Sequence, residues 1–414
     1  MQLVEKHIIK RSNKNWKQID NMCYTSKSLY NCALYKINNH YKETSKLLRY
    51  NKIDKIMRKE VDQYCQLPNN TSQQILMILD RNFKSFFSAL RSWKKDKSKF
   101  LACPRPPRYK DKNGRNLLIF TTQQVKIKDN FIHFPKKCDL EPIRTKVNNL
   151  QQIRIVPQTG CYVVEVIYKK ETVNHDLNEN AYIALDLGVN NIIAITSNQP
   201  GLKPILINGR ILKSINQFFN KKKASMQSQL EKNHKKKTSK KLQSLCLKRS
   251  NKIDYILHHI SKFVVQYCIE NDIKNIIIGH NDFWKQETNM GRTNNQNFIC
   301  IPYNKFIHQI KYKAELNSID VAEITENYTS KCSALDKEQI CKHDEYIGKR
   351  TNRGLFKWSN GLLNADVNGS LNILRKVIGN DFINLVNRGC VDQPVKVQLS
   401  QMKEFKDLTN FISF

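Results

Sequence analysis

Two uninterrupted apolar runs constrain the fold more than any other feature of this chain. Residues 182–185 (YIAL) and 276–278 (III) lack alternating polar positions, the pattern of strands in a sheet covered on both faces. Further strands and helical regions are predicted around them: strands at 189–197, 204–208 and 319–326, and helical regions at 210–270 and 302–317. The sequence therefore predicts a mixed α/β sheet with right-handed crossovers.

The first 100 residues are predicted to be mainly helical. After a strand-like start within residues 1–15, helical periodicity runs over residues 15–58. A clearer helix follows Pro68, where Thr71 and Gln74 fit a capping box. A proline-rich segment then ends the helical region.

Residues 115–171 are predicted to be rich in β-structure. Short runs of β-type residues are separated by turn-forming residues, and the pair Asp129 and Asn130 suits a hairpin turn between two of them. We expect a small antiparallel sheet or barrel in this part of the chain.

The charge balance predicts a polyanionic partner. Lys and Arg number 70 against 36 Asp and Glu in 414 residues, a formal net charge of +34. Nucleic acid is the expected partner, because phosphate contacts neutralise such charge and release counterions. An anionic membrane surface is the alternative, but no apolar run approaches the ~18 residues of a membrane span, and no basic amphipathic terminal helix is evident.

Two aspartates occupy positions that suit metal-dependent phosphodiester hydrolysis. Asp186 directly follows the apolar run 182–185, where an unpaired charge is costly unless a partner or a metal compensates it. Asp366 opens a predicted helix, where favourable interaction with the helix dipole is the alternative explanation. Clustered carboxylates can hold two divalent ions ~4 Å apart, the arrangement of two-metal hydrolysis.

The same residues carry a resemblance to a known family. Residues 186–191 (DLGVNN) and 364–373 (NADVNGSLNI) resemble the first and third RuvC motifs of the TnpB/Fanzor family, and residues 328–333 (YTSKCS) resemble the segment before its zinc finger. The family comprises transposon-encoded, RNA-guided nucleases related to type V CRISPR effectors. The resemblance extends in order over roughly residues 100–395, which makes it more specific than one motif.

The resemblance implies an α/β and β multidomain protein. It has an RNase H-like RuvC nuclease domain, a wedge-like β-barrel and a helical recognition lobe. The implied domains are the wedge-like β-barrel (1–15 and 104–178), the recognition lobe (16–103), the RuvC domain (179–328 and 364–380), a target-nucleic-acid-binding insert in the degenerate zinc-finger region (329–363) and a C-terminal tail without assigned role (381–414).

The usual second acid of the family is missing from its place. A Glu normally closes the strand that here ends in Gly279, so another acid substitutes or catalysis is lost. The next predicted strand ends with Glu326, and Glu323 lies three residues earlier. Ligands gather at the carboxyl ends of parallel strands. We therefore predict Asp186, Glu326 and Asp366 as the catalytic and metal-binding set, with Glu323 as the second choice.

Residues 329–363 depart from the family pattern as well. The two CxxC pairs of the usual zinc finger are absent, and only Cys332, Cys341 and His343 remain as candidate ligands. We therefore do not expect a structural zinc ion. A basic loop with interleaved aromatic residues is predicted instead, suited to holding a single strand.

The resemblance and the charge together predict an RNA-guided DNA endonuclease. Two Mg²⁺ ions, or Mn²⁺ in their place, would serve hydrolysis, and the partners would be a guide RNA and double-stranded target DNA beside a short motif. A monomer with one guide RNA is favoured, in a bacterial cytoplasm by default or a nucleus for a eukaryotic or viral member. The alternatives are a nuclease-dead, RNA-guided repressor and, less favoured, a strand-transferring transposase.

Nucleic-acid contacts are predicted in the basic stretches 84–115 and 221–249 and in the insert. Separately, Asn190 and Asn368 lie close in sequence to Asp186 and Asp366, respectively, and each is predicted to support its neighbouring aspartate. The predicted contact residues are Lys84, Arg91, Lys94, Lys95, Arg105, Arg108, Tyr109, Lys110, Lys235, Lys236, Lys237, Arg350, Arg353 and Lys357.

Overall fold

The chain divides into two compact units, Met1–Lys170 and Glu171–Phe414. The structure, a computed structural model, describes residues 1–234, 237–281, 291–352, 354–385 and 391–399. Among these residues, no helix is both long enough and apolar enough to cross a lipid bilayer.

The first unit combines helices with two antiparallel sheets. Its helices are α1 (Trp16–Thr44), α2 (Tyr50–Glu60), α3 (Asp62–Gln66) and α4 (Asn69–Lys95). Its strands are β1 (Gln2–Ile9), β2 (Leu118–Thr121), β3 (Lys126–Lys128), β4 (Phe131–His133), β5 (Ile143–Arg144), β6 (Leu150–Gln158) and β7 (Cys161–Lys169). The strand orders are β1-β7-β6-β2 and β3-β4-β5.

Both sheets of this unit are open, which corrects the prediction of a closed wedge-like barrel. A barrel requires its first and last strands to pair. Here β1 and β2 are the two edges of the larger sheet and pair only inward, with β7 and β6. Helix α4 packs against β2 instead. One hydrophobic core joins α1, α4 and the sheet through residues such as Leu34, Leu79 and Ile155.

In this unit the predicted hairpin turn is confirmed, the long helical region is interrupted, and the predicted capping box is wrong. Asp129 and Asn130 both have positive φ, 52° and 61°, as a two-residue hairpin turn between β3 and β4 requires. The long helical pattern is interrupted at Ser45, whose φ of 54° ends α1. The predicted capping box is wrong, because α4 begins at Asn69 after Pro68 and has no side-chain cap.

The second unit is built on a six-stranded mixed sheet. The strands of the whole unit, which also contains a separate three-stranded sheet, are β8 (Asn178–Leu187), β9 (Asn191–Ser197), β10 (Ile205–Asn208), β11 (Ile273–Gly279), β12 (Asp320–Ile324), β13 (Lys349–Asn352), β14 (Leu355–Trp358), β15 (Gly361–Asn364) and β16 (Val395–Val397). Its helices are α5 (Arg210–His234), α6 (Lys240–Glu270), α7 (Arg292–Ile299), α8 (Tyr303–Glu315), α9 (Ala365–Ile378) and α10 (Phe382–Leu385).

The strand order of this sheet is β12-β11-β8-β9-β10-β16. β11 runs parallel to β8 and β12, and β9 runs antiparallel to β8 and β10. One face is buried by α6 and α8 and the other by α9, which explains why 182–185 and 276–278 are apolar without alternation. The mixed sheet predicted from the sequence is confirmed.

Three details of the second unit differ from the prediction. The helical region 210–270 is two helices, α5 and α6. The tail, which had no assigned role, supplies β16, and this strand extends the sheet parallel to β10. The insert is not a plain loop, because β13, β14 and β15 form a small antiparallel sheet of their own.

Candidate active site

Asp186 lies near the end of β8 on the face that α9 covers. Alternation along the strand puts Asp186 on the same side as Ala184, which packs in the α9 core, while Leu185 points into the opposite core. Gly369 of α9 permits the close approach, since a Cβ there would lie 2.6 Å from Asp186 Oδ2. Burial and the charges of two further acids, Glu326 and Asp366, raise the pKa of Asp186 well above its usual value.

Glu326 lies two residues beyond β12, not on the strand as predicted. β12 is parallel to β11 and beside it, as expected, and Gly279 is opposite Ile324 in the register. The peptide N–H of Glu326 donates to Asn281 Oδ1 at 2.8 Å, which fixes the backbone just past the strand end. The carboxyl ends of the two parallel strands therefore meet beside Glu326.

Gly279 leaves the space into which the Glu326 side chain extends. A Cβ at position 279 would lie 2.7 Å from both Cγ and Oε1 of Glu326, too close for any real contact. Glu326 Oε1 is inaccessible to solvent, and no hydrogen-bond donor in the described part of the chain reaches it. Burial raises the pKa of Glu326 to about 7, against the opposing charge of Lys376. A side chain at 279 and the Glu326 carboxylate thus exclude one another.

Glu323, the second choice from the sequence, faces a different environment. Its register partner on β11 is Ile278, which packs in the core under α6 and α8. Its carboxylate forms an ion pair with Lys311 of α8 and lies 3.5 Å from Nδ1 of His280. Glu323 is therefore engaged away from the two aspartates.

Asp366 lies in the first turn of α9, as predicted. The side chain of Asn364 caps this helix by accepting from the N–H groups of Asp366 at 3.0 Å and Val367 at 3.3 Å. Asp366 Oδ2 accepts a hydrogen bond from Asn191 Nδ2 at 2.7 Å. Its Oδ1 lies 3.7 Å from the guanidinium of Arg350 on β13.

The supporting asparagine is not the one expected. Asn191, not Asn190, contacts Asp366, while the carbonyl of Asn190 accepts from the N–H of Gly209 at 2.7 Å. Asn368 binds the insert instead, accepting from Ala334 N–H at 2.9 Å. Sequence reasoning missed Asn191, because the run DLGVNN ends in two adjacent asparagines and no local pattern distinguishes them.

The three acids fit divalent metal binding by their chemistry. Carboxylate oxygens are the ligands that Mg²⁺ prefers. The solvent-inaccessible Oε1 of Glu326 has no hydrogen-bond donor among the residues that the structure describes. The charges of Glu326 and Asp366 both act on Asp186. Among the described residues, no group of three His, Cys, Asp or Glu side chains is already arranged to hold an ion.

The insert contains the three candidate zinc ligands close to one another. Cys341 Sγ lies 3.4 Å from His343 Nε2, and the buried Cys332 thiol donates to the carbonyl of Cys341 at 3.6 Å.

A separate set of contacts anchors the insert to α9. The guanidinium of Arg375 donates to the carbonyls of Ser333 and Glu338.

The predicted nucleic-acid contacts are mostly exposed cations. In the first unit, Lys84 pairs with Asp80, and Lys110 is half-buried, with its ammonium 4.9 Å from the centre of the Tyr30 ring. Lys235, Lys236 and Arg353 lie outside the described residues. The predicted contacts that are solvent-exposed are Lys84, Arg91, Lys94, Lys95, Arg105, Arg108, Tyr109, Lys237, Arg350 and Lys357.

Comparison with known proteins agrees with this architecture. A family model described as a probable transposase (OrfB_IS605) matches residues 163–284, and the Cas12f1-like TNB domain model matches residues 303–373. The TnpB-like protein ORF457 of Acidianus two-tailed virus is 23% identical over 363 residues, which cover 78% of this chain and 76% of the viral protein.

A solved structure shares the fold. The Cas12f1 protein in the cryo-EM structure of a Cas12f1–sgRNA–target DNA complex superposes with a TM-score of 0.53 at 12% identity, covering 86% of this chain and 81% of that one. The mixed α/β, multidomain architecture of this chain is thus similar to that of Cas12f1. In sequence, the chain is similar to the probable transposase family OrfB_IS605 over residues 163–284, to the Cas12f1-like TNB domain over residues 303–373, and to the viral TnpB-like protein over most of its length.

Proposed function

We propose that this protein is an RNA-guided DNA endonuclease that hydrolyses target DNA with divalent metal ions. The observation that carries the proposal is the grouping of Asp186, Glu326 and Asp366 at one end of the mixed sheet, with Gly279 leaving room for Glu326. Similarity to TnpB-like and Cas12f1 proteins supports guidance by RNA, since the superposed Cas12f1 is in a complex with sgRNA and target DNA.

The roles of the chain's own residues follow from their contacts. Asp186, Glu326 and Asp366 would hold two Mg²⁺ ions, which when bound activate water and stabilise the leaving oxygen. Asn191 orients Asp366 through its 2.7 Å hydrogen bond. Arg350, exposed on β13 and 3.7 Å from Asp366, offers a cation to a phosphate that approaches the acids.

The predicted domain assignments become part of the same proposal. Residues 1–170 form one unit with a shared core, and their exposed cations would contact guide RNA and the heteroduplex backbone. Residues 329–363 would guide the DNA strand toward the acids with Arg350 and Lys357. The guide pairs with the target strand, so the protein itself reads only a short adjacent motif.

Plasmid cleavage with co-purified guide RNA and Mg²⁺ tests the proposal. The comparison is wild type, Glu326→Ala and Glu323→Ala, with binding of guided target measured separately in EDTA. We expect wild type and Glu323→Ala to cut and Glu326→Ala to bind without cutting. Guided binding by wild type without cleavage in Mg²⁺ or Mn²⁺ would instead identify an RNA-guided repressor.

A further inference from the structure

We propose that Lys376 is a positioning residue that fixes Glu326 relative to Asp366. The inference rests on the proposed function in taking Glu326 as the third acid. Its basis is that one ammonium group holds the chain on both sides of Glu326. Lys376 Nζ donates to the carbonyl of Thr325 and to the carbonyl of Asn327, each at 2.8 Å.

Glu326 needs such an anchor because it lies outside the sheet. β12 is an edge strand and ends at Ile324, whose carbonyl accepts from the N–H of His280 at 2.8 Å. Beyond this point, among the described residues, side-chain contacts and not strand pairing hold the chain, beginning with the bond from the N–H of Glu326 to Asn281 Oδ1 at 2.8 Å. Loop backbone with few such contacts is more mobile than strand backbone. A Glu at position 279, by contrast, would lie inside the parallel ladder formed by β11 with its neighbours.

A second side chain of α9 holds the same segment further along. Asn372, one turn before Lys376 and fully buried, donates to the carbonyls of Thr329 at 2.8 Å and Cys332 at 2.7 Å. Thr329 in turn donates through its hydroxyl to the carbonyl of Glu326 at 2.9 Å. The segment that carries Glu326 is thus attached at several points to one helix.

That helix also carries Asp366, which gives the attachment its functional meaning. Asp366 is in the first turn of α9, and Gly369, between it and Asn372, lies against Asp186. Holding the Glu326 segment on α9 therefore sets the distance between the acids without using the strand ladder. Residues that orient metal ligands in this way typically contribute about 10–100-fold to metal affinity or activity.

The test compares Lys376→Ala and Lys376→Arg with wild type in the guide-bound protein. We expect Lys376→Ala to slow target cleavage roughly 10–100-fold and to weaken Mn²⁺ binding, followed by electron paramagnetic resonance, by a similar factor. Guided target binding in EDTA is expected to stay within about twofold, because the side chain acts on a protein segment and not on phosphate. Lys376→Arg keeps donors for both carbonyls and recovers most of the cleavage.

Lys274→Ala is the matched control, since it removes one charge from the start of β11, where Lys274 pairs with Glu179 at 3.3 Å. Cleavage by Lys376→Ala at the wild-type rate, while Glu326→Ala is inactive, would overturn the inference. So would a loss of target binding as large as the loss of cleavage, which would make Lys376 a nucleic-acid contact. If wild type itself does not cut, the proposed function fails instead, and the Mn²⁺ measurement still decides the role of Lys376.

Discussion

Gly279→Ala is the substitution that most directly tests the arrangement of the acids. The added Cβ would lie 2.4 Å from Cδ1 of the buried Ile373 and 2.7 Å from Cγ and Oε1 of Glu326. Carbon atoms pack at about 3.5 Å or more, so Glu326 must retreat by roughly 0.8 Å and Ile373 by roughly 1 Å. Such overpacking typically lowers the free energy of unfolding by about 1–3 kcal/mol.

The expected effect on cleavage is larger than this loss of stability implies. A catalytic group misplaced by ~1 Å can cost on the order of 10²-fold in rate, although the protein remains folded. We therefore expect Gly279→Ala to bind guided target normally and to cut it about 10²-fold more slowly. The assay is single-turnover cleavage of a guided plasmid, with the free energy of unfolding measured by urea denaturation of the same preparations.

Two controls separate stability from positioning. Val264→Ala removes a buried side chain from α6, on the opposite face of the sheet, and should lower the free energy of unfolding by about 2 kcal/mol. Gly361→Ala places a Cβ no closer than 3.4 Å to its neighbours and should change little. If Gly279→Ala cuts as fast as Val264→Ala, the spatial argument for Glu326 is refuted.

Three further predictions concern the position of the third acid, the divalent ions, and an ion pair of the first unit. The double variant Gly279→Glu with Glu326→Ala should recover part of the cleavage lost in Glu326→Ala, because the new acid starts from the adjacent strand end; no recovery in the plasmid assay would contradict this. Removing divalent ions with EDTA should stop cleavage while leaving guided target binding intact, and added Mn²⁺ should restore it; cleavage in EDTA would exclude a metal mechanism. In the first unit, Arg115 contacts both carboxylate oxygens of Asp20, at 2.8 and 2.9 Å, and this contact lowers the pKa of Asp20 from its usual value. The contact therefore stabilises the fold at neutral pH, and this stabilisation is lost as the pH falls through the lowered pKa. Asp20→Asn should therefore lower the free energy of unfolding by about 1–3 kcal/mol at pH 7. The difference in unfolding free energy between this variant and wild type, measured by urea titration, should narrow as the pH falls through the lowered pKa of Asp20; a difference independent of pH would refute the pairing.

Sequence patterns were sufficient where neighbouring residues decide the structure. The unalternating runs 182–185 and 276–278 and the positive-φ pair Asp129 and Asn130 determine strands and a turn, because burial on both faces and turn geometry act over a few residues. The position of Asp186 after its apolar run was likewise readable from the chain. So was the helix beginning beside Asp366.

Only the tertiary structure decided which distant residues meet. Gly279 and Glu326 are 47 positions apart, and their mutual exclusion depends on the register of two parallel strands, which no local pattern encodes. Asn191 contacts Asp366 across 175 positions, so its neighbour Asn190 was an equally good choice from the sequence. The edge strand β16 gave no signal of its own, because three residues satisfy no periodicity until a sheet edge pairs with them. The sequence by itself thus determined most of the elements and predicted the candidate acids, and long-range packing determined how these parts are held together.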